Sequence, residues 1–433
     1  MQGSWSNWSG WVKAWPREIA IPETEADLQR VVREAEGGVR VAGSGHSFTA
    51  LVQTNGTIVS LQKITGLLDV DDVHERARVG AGITIRDLGP LLHEKGLGLI
   101  NQGDIDRQAI AGAVGTGTHG TGGTLGSLSS AVRGFRLVTA SGEAIDCNSE
   151  VNADIFDAGR VSMGSLGIMS EITLQCRKAY ALEEKGGRMP VDEVFARAPE
   201  LRDANRHFEF FWFPFAHEVL TKTLNETDRP VKPRNRLPDG ADASEDKLFR
   251  QFCEVARHVP LMRGPLQKFI TRASGSRYAG SAGRAYWSHD AFPSDRNVRF
   301  NEMEYAVPAE KGIDCVREVG EHMRRCGVNF LFPIEFRYVA ADDAWLSPFY
   351  HRASVSISVH QYHRQPYAEL FRGIEEIFRR YEGRPHWGKL HTLGASELVA
   401  LYPRWDDFIA LRRRLDPQGK FLNQHLRRVF GES

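Results

Sequence analysis

The sequence predicts an α+β fold in two domains, and three observations carry that prediction. Residues 1–177 alternate short strand-like runs with capped amphipathic helices, interrupted by the glycine-rich stretches Gly43-Ser44-Gly45 and Ile110–Gly126. From about Lys178 the glycines thin out and aromatic runs such as Phe208–Phe215 appear, so residues 178–433 read as a second domain. The length, 433 residues, also exceeds what one hydrophobic core usually serves.

The elements follow in order. Trp5, Trp8, Trp11 and Trp15 crowd the N-terminus and read as a clamp that holds an arm on the domain surface. Thr24 opens a capping signature, and Leu28, Val31 and Val32 give the helix behind it one apolar face that ends near Gly37-Gly38. Val39–Ala42 then reads as a strand running straight into Gly43-Ser44-Gly45-His46-Ser47. Glycines there allow positive φ and close approach of a ligand, successive amides can form an anion-holding nest, and His46 adds a nucleophilic imidazole. A surface turn would show the same Gly-x-Gly, so this motif alone does not decide between the two.

Strands are expected over Thr57–Leu61, Leu67–Val70 and Arg76–Val79, then a helix from Thr84 to about Lys95 with Asp87 at its third position. Ile110–Gly126 holds seven glycines, four threonines and no Asp, Glu, Lys or Arg. A linker can have that composition, but its apolar opening, Ile110-Ala111-Gly112-Ala113-Val114, favours a loop that wraps a cofactor. Strands follow at Val132–Thr139 and Ile168–Gln175.

In the second domain Lys222–Asp246 reads as a long polar surface loop. Glu302–Val307 and Pro333–Val339 alternate like half-buried strands, which puts Glu335 and Arg337 on one face. That pair is either a solvated ion pair or the polar lining of a pocket. His360 and His363 lack metal-binding helical spacing and read as core or substrate-side histidines, so no metal is expected. Arg384–His391 concentrates two histidines, Lys389 and Trp387 around Pro385, which suits either a site or a cationic rim beside a packed tryptophan. Leu415–Asn423 reads as the turn that ends an amphipathic helix.

Composition bounds the partners. Lys+Arg and Asp+Glu are 55 each, so no global charge attracts nucleic acid or an anionic membrane, and small molecules are the expected partners. With no apolar run of membrane-spanning length and no basic-then-apolar leader, a cytoplasmic location is expected. The five cysteines are odd in number and lack a Cys-x-x-Cys pair, which suits reduced thiols.

Four of these motifs occur in the same order in the sugar-lactone and alditol oxidases: Gly43-Ser44-Gly45-His46-Ser47, the Gly112–Gly123 stretch with Gly117-Thr118-His119-Gly120, Glu335-x-Arg337, and Arg384-Pro385-His386-Trp387-Gly388-Lys389. Over nearly its whole length the chain resembles this branch of the vanillyl-alcohol-oxidase flavoproteins. The resemblance implies an FAD-binding domain of two α+β subdomains, here residues 1–177. A cap domain with a large antiparallel sheet, residues 178–433, would follow, its C-terminal segment returning to the flavin.

For the site, the resemblance implies FAD bound covalently through His46. The cofactor residues would be Gly43, Ser44, Gly45, His46, Ser47, Gly103, Asp104, Gly112, Gly115, Thr116, Thr118, His119, Gly120, Ile168, Lys389 and His391. Glu335, Arg337, Lys389 and His360 would carry the chemistry: Glu335 and Arg337 orient the substrate, Lys389 lies by the flavin, and His360 faces the substrate where alditol oxidases have threonine. The implied reaction oxidises an alcohol carbon of a sugar 1,4-lactone, of the L-gulono or D-arabinono type, with hydride passing to flavin N5. Oxygen or another electron acceptor then reoxidises the flavin. A glycine at position 103 matches oxidases that form hydrogen peroxide, whereas Asp104 departs from the small residue usual there. An alditol oxidase acting on xylitol or sorbitol, or a flavin-binding sensor without turnover, are the competing expectations.

Overall fold

The computed structural model describes all residues except 1–2, 235–243, 282, 295–296 and 433. Strands β1 (Trp5–Ser6) and β2 (Lys13–Ala14) form a small ribbon that anchors the N-terminal arm. The tryptophans clamp this arm as read, Trp5 packing with Ala42 and Ile58 and Trp8 lying against His46 and Phe48, and they also reach across the molecule. Trp8 meets Phe300 edge-on at 5.1 Å, and the Trp11 indole N–H donates to the His363 carbonyl at 3.1 Å. Trp15 takes no part in this, being 64% exposed.

Strands β3 (Glu18–Ala20), β4 (Val39–Ala42) and β5 (Thr57–Ser60) make a parallel sheet in the order β3-β5-β4. Helix α1 (Glu25–Glu34) is the crossover that parallel pairing requires. Its Thr24 cap accepts the Asp27 N–H at 3.1 Å, and Leu28 and Val32 are buried, as the sequence pattern predicts. An antiparallel sheet follows, built from β6 (Leu67–Asp71), β7 (Arg76–Gly80), β8 (Leu97–Leu99), β9 (Val132–Val138), β10 (Ala144–Asn148) and β11 (Ile168–Lys178). Between its strands lie α2 (Ile85–Glu94), capped by Thr84, α3 (Ile110–Gly115) and α4 (Ala153–Gly159). The apolar opening of the glycine-rich stretch is therefore a short helix. Ile110, Ala113 and Val114, spaced by three and four residues, bury one helical face.

After β11 the chain enters an eight-stranded antiparallel sheet. Its strands are β12 (Ala181–Pro190), β13 (His207–Trp212), β14 (Glu218–Glu226), β15 (Arg284–Trp287), β16 (Phe300–Pro308), β17 (Ile334–Val339), β18 (Ser354–Tyr362) and β19 (Arg384–Pro385). They lie in the order β15-β12-β14-β13-β17-β18-β16-β19. The loop expected over Lys222–Asp246 begins later than predicted, because Lys222–Glu226 continues β14, paired along its length with β12. Its residues 235–243 lie outside the described residues.

Helices α5 (Val191–Asp203), α6 (Ser244–His258), α7 (Arg263–Ser281), α8 (Ser288–Ala291), α9 (Gly312–Arg325) and α10 (Ala368–Arg380) flank this sheet. On its back face Phe195 of α5 meets Trp212 edge-on at 5.3 Å, Gly320 of α9 lies against the same indole, and Tyr305 stacks on Phe378 of α10 at 4.9 Å. Strands β16 and β17 are consequently buried along their full length, not half-buried as their alternation suggested. Both faces are covered, the polar one by the glycine-rich loop that follows α3. There Gly122 donates to the Tyr338 carbonyl at 2.8 Å and His119 reaches Glu304.

The chain closes with α11 (Ala395–Leu398), α12 (Trp405–Leu415) and α13 (Gln424–Phe430). The turn after α12 returns to the first sheet. The Lys420 carbonyl accepts the Val39 N–H at 2.8 Å, and the Asn423 amide donates to the carbonyls of Ala50 at 2.7 Å and Gln53 at 2.8 Å. Among the described residues no helix is long and apolar enough to cross a membrane.

Candidate active site

Strand β4 ends at Ala42 and delivers Gly43–Ser47 to the rim of a cavity of about 550 Å³. Gly45 has φ +74°, a conformation that L side chains rarely adopt, and its carbonyl accepts the Trp8 N–H at 2.8 Å. A Cβ on Gly43 would lie 3.3 Å from the Ala109 Cβ, so glycine keeps the walls of the cavity apart. Gly112, Gly115, Thr116 and Ile168 line the same cavity. Nine of the residues expected to hold the cofactor thus surround one cavity: Gly43, Ser44, Gly45, His46, Ser47, Gly112, Gly115, Thr116 and Ile168. At about 550 Å³, with eight glycines in its lining, the cavity has room for a dinucleotide cofactor.

His46 lines this cavity, its ring stacked 6.0 Å from that of Trp8. Burial, then the charges of Lys389 and Arg107, push its pKa down to about 4. Its imidazole is neutral at neutral pH and keeps a nucleophilic lone pair.

A second group of residues lies on the front face of the large sheet. Register and alternation put Glu302, Glu304, Glu335, Arg337, Ser356, Ser358 and His360 there together. Glu304 is the hub. Its Oε1 accepts from His119 Nε2 and Ser356 Oγ, each at 2.5 Å, and its Oε2 accepts from Ser358 Oγ at 2.8 Å and Arg337 Nη2 at 3.2 Å. Burial alone would raise this carboxyl, but Arg337 and His119 outweigh it and hold it well below the usual carboxylate range. Arg337 also lies 3.8 Å from Glu335. Burial opposes its charge, yet Glu335 and Glu304 more than compensate and keep it a cation.

Lys389 follows β19 and bridges the two groups. It pairs with Glu302, and its Nζ lies 5.0 Å above the Phe48 ring, next to the His46 loop. Burial would raise the Glu302 carboxyl, but the charge of Lys389 beside it outweighs that and holds it at about 2. His360 Nδ1 faces the Pro333 carbonyl at 3.3 Å, and its Nε2 lies 3.5 Å from Glu302 Oε1. Glu302, Glu335 and His360 together offer ligand atoms within 4.8 Å, a spacing a cation could use, but Lys389 and Arg337 already balance the carboxylates. Among the described residues, His360 Nε2 and Arg337 Nε are buried without a hydrogen-bond partner. Both suit a hydroxyl-bearing ligand, because a buried polar atom left unsatisfied is costly.

The remaining expected residues are placed as follows. Gly103, Asp104 and Gly120 line a small cavity beside Arg337 and Glu209. A Cβ at Gly103 would stand 3.0 Å from the His119 carbonyl oxygen; its φ is not positive, so no turn demands glycine there. Thr118 closes the loop after α3, its N–H donating to Ala113 and its carbonyl accepting from Leu128, each at 2.9 Å. His391 is absent from the cavity walls and packs, buried, between the rings of Trp387 at 5.9 Å and His425 at 6.0 Å.

Glu302 and Glu304 were missed from the sequence, although Glu302-x-Glu304 has the same two-residue spacing as Glu335-x-Arg337. His386, buried 6.0 Å from the His119 ring and held neutral by that burial, was missed too.

Comparison with known proteins completes the picture. Residues 172–429 match the family described as D-arabinono-1,4-lactone oxidase, and residues 16–148 match an FAD-binding domain. The chain is 40% identical to the L-gulono-1,4-lactone dehydrogenase of Mycobacterium tuberculosis, with 100% of both chains covered. It is 30% identical to the L-gulonolactone oxidase of Scyliorhinus torazame, over 98% of this chain and 97% of that one. An alditol oxidase from a Streptomyces species is 28% identical over 98% of each. In three dimensions the cholesterol oxidase of B. sterolicum superposes with a TM-score of 0.84 over 99% of this chain and 97% of that one, at 18% identity, a likeness of fold alone. An FAD-binding region followed by a large antiparallel sheet is thus the architecture of the vanillyl-alcohol-oxidase flavoproteins, and within them this chain belongs to the D-arabinono-1,4-lactone oxidase family of FAD-dependent oxidoreductases acting on CH–OH groups.

Proposed function

We propose that the protein oxidises an alcohol carbon of a sugar 1,4-lactone of the L-gulono or D-arabinono type, with FAD linked covalently through His46 and oxygen as the acceptor, giving hydrogen peroxide. The observation that carries this reading is the buried polar face of the sheet, where Arg337 Nε and His360 Nε2 make no hydrogen bond among the described residues. Bound FAD supplies a two-electron hydride acceptor. Glu335 and Arg337 orient the substrate's hydroxyls, and the Arg337 cation stabilises negative charge developing on the reacting oxygen. With its Nδ1–H directed to the Pro333 carbonyl, His360 takes the hydroxyl proton at Nε2, and Glu302 steadies the imidazolium so formed. Lys389 balances Glu302 and keeps positive charge beside the His46 loop.

Anaerobic addition of L-gulono-1,4-lactone or D-arabinono-1,4-lactone is expected to bleach the flavin absorbance. Bleaching by xylitol or sorbitol with no response to either lactone would move the assignment to an alditol oxidase, and no bleaching by any of them would refute the reading.

The covalent link has its own test. Acid-precipitated protein is expected to stay yellow, while His46→Ala releases its FAD into the supernatant. Flavin freed from the unmutated protein would overturn it.

Oxygen as acceptor rests on Gly103, where a methyl group would press on the His119 carbonyl beside Arg337. Packed interiors leave little room to absorb it. Gly103→Ala is expected to slow reoxidation of the reduced enzyme by oxygen in stopped flow while leaving reduction by substrate nearly intact; equal reoxidation rates would remove the argument.

A further inference from the structure

The front face of the large sheet does not stay polar along its length. Phe211 stands directly opposite Glu335 in the β13–β17 register, and Leu220 opposite Phe211 in the next pair, so both share the face that carries the acid and the arginine. Phe300, two residues before Glu302 on β16, shares it too. The face therefore changes from Glu, Arg and Ser to Phe and Leu within one strand spacing.

Helices α6 and α7 pack over this apolar end and border a solvent-open cavity of about 350 Å³. Phe249, Phe252 and Phe269 from the helices and Phe332 from the segment before β17 complete its aromatic walls. Phe269 and Leu248, 55% and 46% exposed, carry the apolar lining outward to solvent. His360 is the junction. Its ring meets Phe300 edge-on at 4.9 Å and lies 6.0 Å from Phe332, while its Nε2 points to the Glu302 side. One imidazole thus borders both the polar cluster and the phenylalanine chamber.

Among the described residues, Asp246, Ser274 and His360 are the only polar side chains in a lining otherwise of Phe, Leu, Ile, Val, Ala and Pro, so a bare polyhydroxylated lactone gains little there, most of its hydroxyls being desolvated without partners. We infer that the preferred substrate is amphiphilic: its carbinol and ring hydroxyls meet Glu335, Arg337 and His360, and an aryl or alkyl substituent on the far side fills the phenylalanine chamber. This inference rests on the lactone reading for its polar half and on the chamber for its apolar half.

The test compares L-gulono-1,4-lactone with its 6-O-benzyl ether on the FAD-loaded enzyme. Calorimetric titration of the dithionite-reduced holoenzyme, in which no turnover occurs, gives both dissociation constants. Anaerobic stopped flow with oxidised enzyme gives the concentration dependence of flavin bleaching. The benzyl ether is expected to bind about tenfold or more tightly, the scale on which an apolar pocket discriminates. Leu220→Trp, which fills the chamber, and Phe249→Ala, which removes part of its wall, are each expected to bring the two ligands' affinities closer together. Equal affinities in the unmutated enzyme, or a preference unchanged in both variants, would overturn the inference. Bleaching by plain lactone with equal affinities would leave the lactone reading standing and the chamber assignment refuted. A tenfold preference in the reduced enzyme without bleaching by either ligand would do the opposite.

Discussion

Replacing Arg337 by alanine is expected to slow anaerobic flavin reduction by substrate by about 10²-fold or more, the effect typical of removing one donor that stabilises a developing oxyanion. The guanidinium is 6% exposed and held by carboxylates on two strands, so it presents a fixed cation and not a mobile surface charge. Its Nη2 faces Glu304 and Ser358, which leaves Nε as the buried donor for the substrate. Arg337→Lys is expected to recover little of the rate, since a point charge does not reproduce the planar fork. Stopped-flow bleaching and thermal melting of the same preparations decide the matter. A variant that melts earlier but reduces flavin at the normal rate would show that Arg337 only neutralises its acidic neighbours.

Glu304→Ala is expected to be the most destabilising of these changes, by about 3–5 kcal/mol, because removing one member of a buried ion pair leaves the other uncompensated. Here the loss is shared. Arg337 and His119 each lose a charged partner, and Ser356 and Ser358 each lose an acceptor. Glu304→Gln keeps the shape and one acceptor, so it is expected to cost less. Urea titration followed by tryptophan fluorescence measures both variants, and a loss below about 1 kcal/mol for the alanine variant, the scale of a surface pair, would refute the buried hub.

Several parts of this architecture were legible from residues alone because their causes are local. A hydroxyl followed three residues later by an acid marks the starts of α1 and α2, and both caps form as read. A short apolar run feeding Gly43-Ser44-Gly45 predicts a strand that ends at a ligand-facing turn, and Gly45 adopts the left-handed conformation there. The two-residue period of a strand puts Glu335 and Arg337 on one face, and they lie 3.8 Å apart. Ile110–Val114 reads as the opening of a cofactor-wrapping loop and is instead a short helix, although Gly112, Gly115 and Thr116 there do line the cavity.

What the sequence determined by itself is therefore the capped helices α1 and α2, several of the strands, the loop that carries His46 and the pairing of charges within one strand, all consequences of backbone geometry acting over a few residues. Only the tertiary structure decided what covers each face. It brings His119 to Glu304 across 185 positions of sequence and Arg337 to the same carboxylate across 33, converting an ambiguous charged strand into a buried network. It also makes β16 and β17 buried on both sides and forms the phenylalanine chamber beside His360. The physical reason is that a strand's period fixes which side chains point together, whereas solvent, a helix or another domain can equally cover the face they form, and that choice rests on packing between segments far apart in the chain.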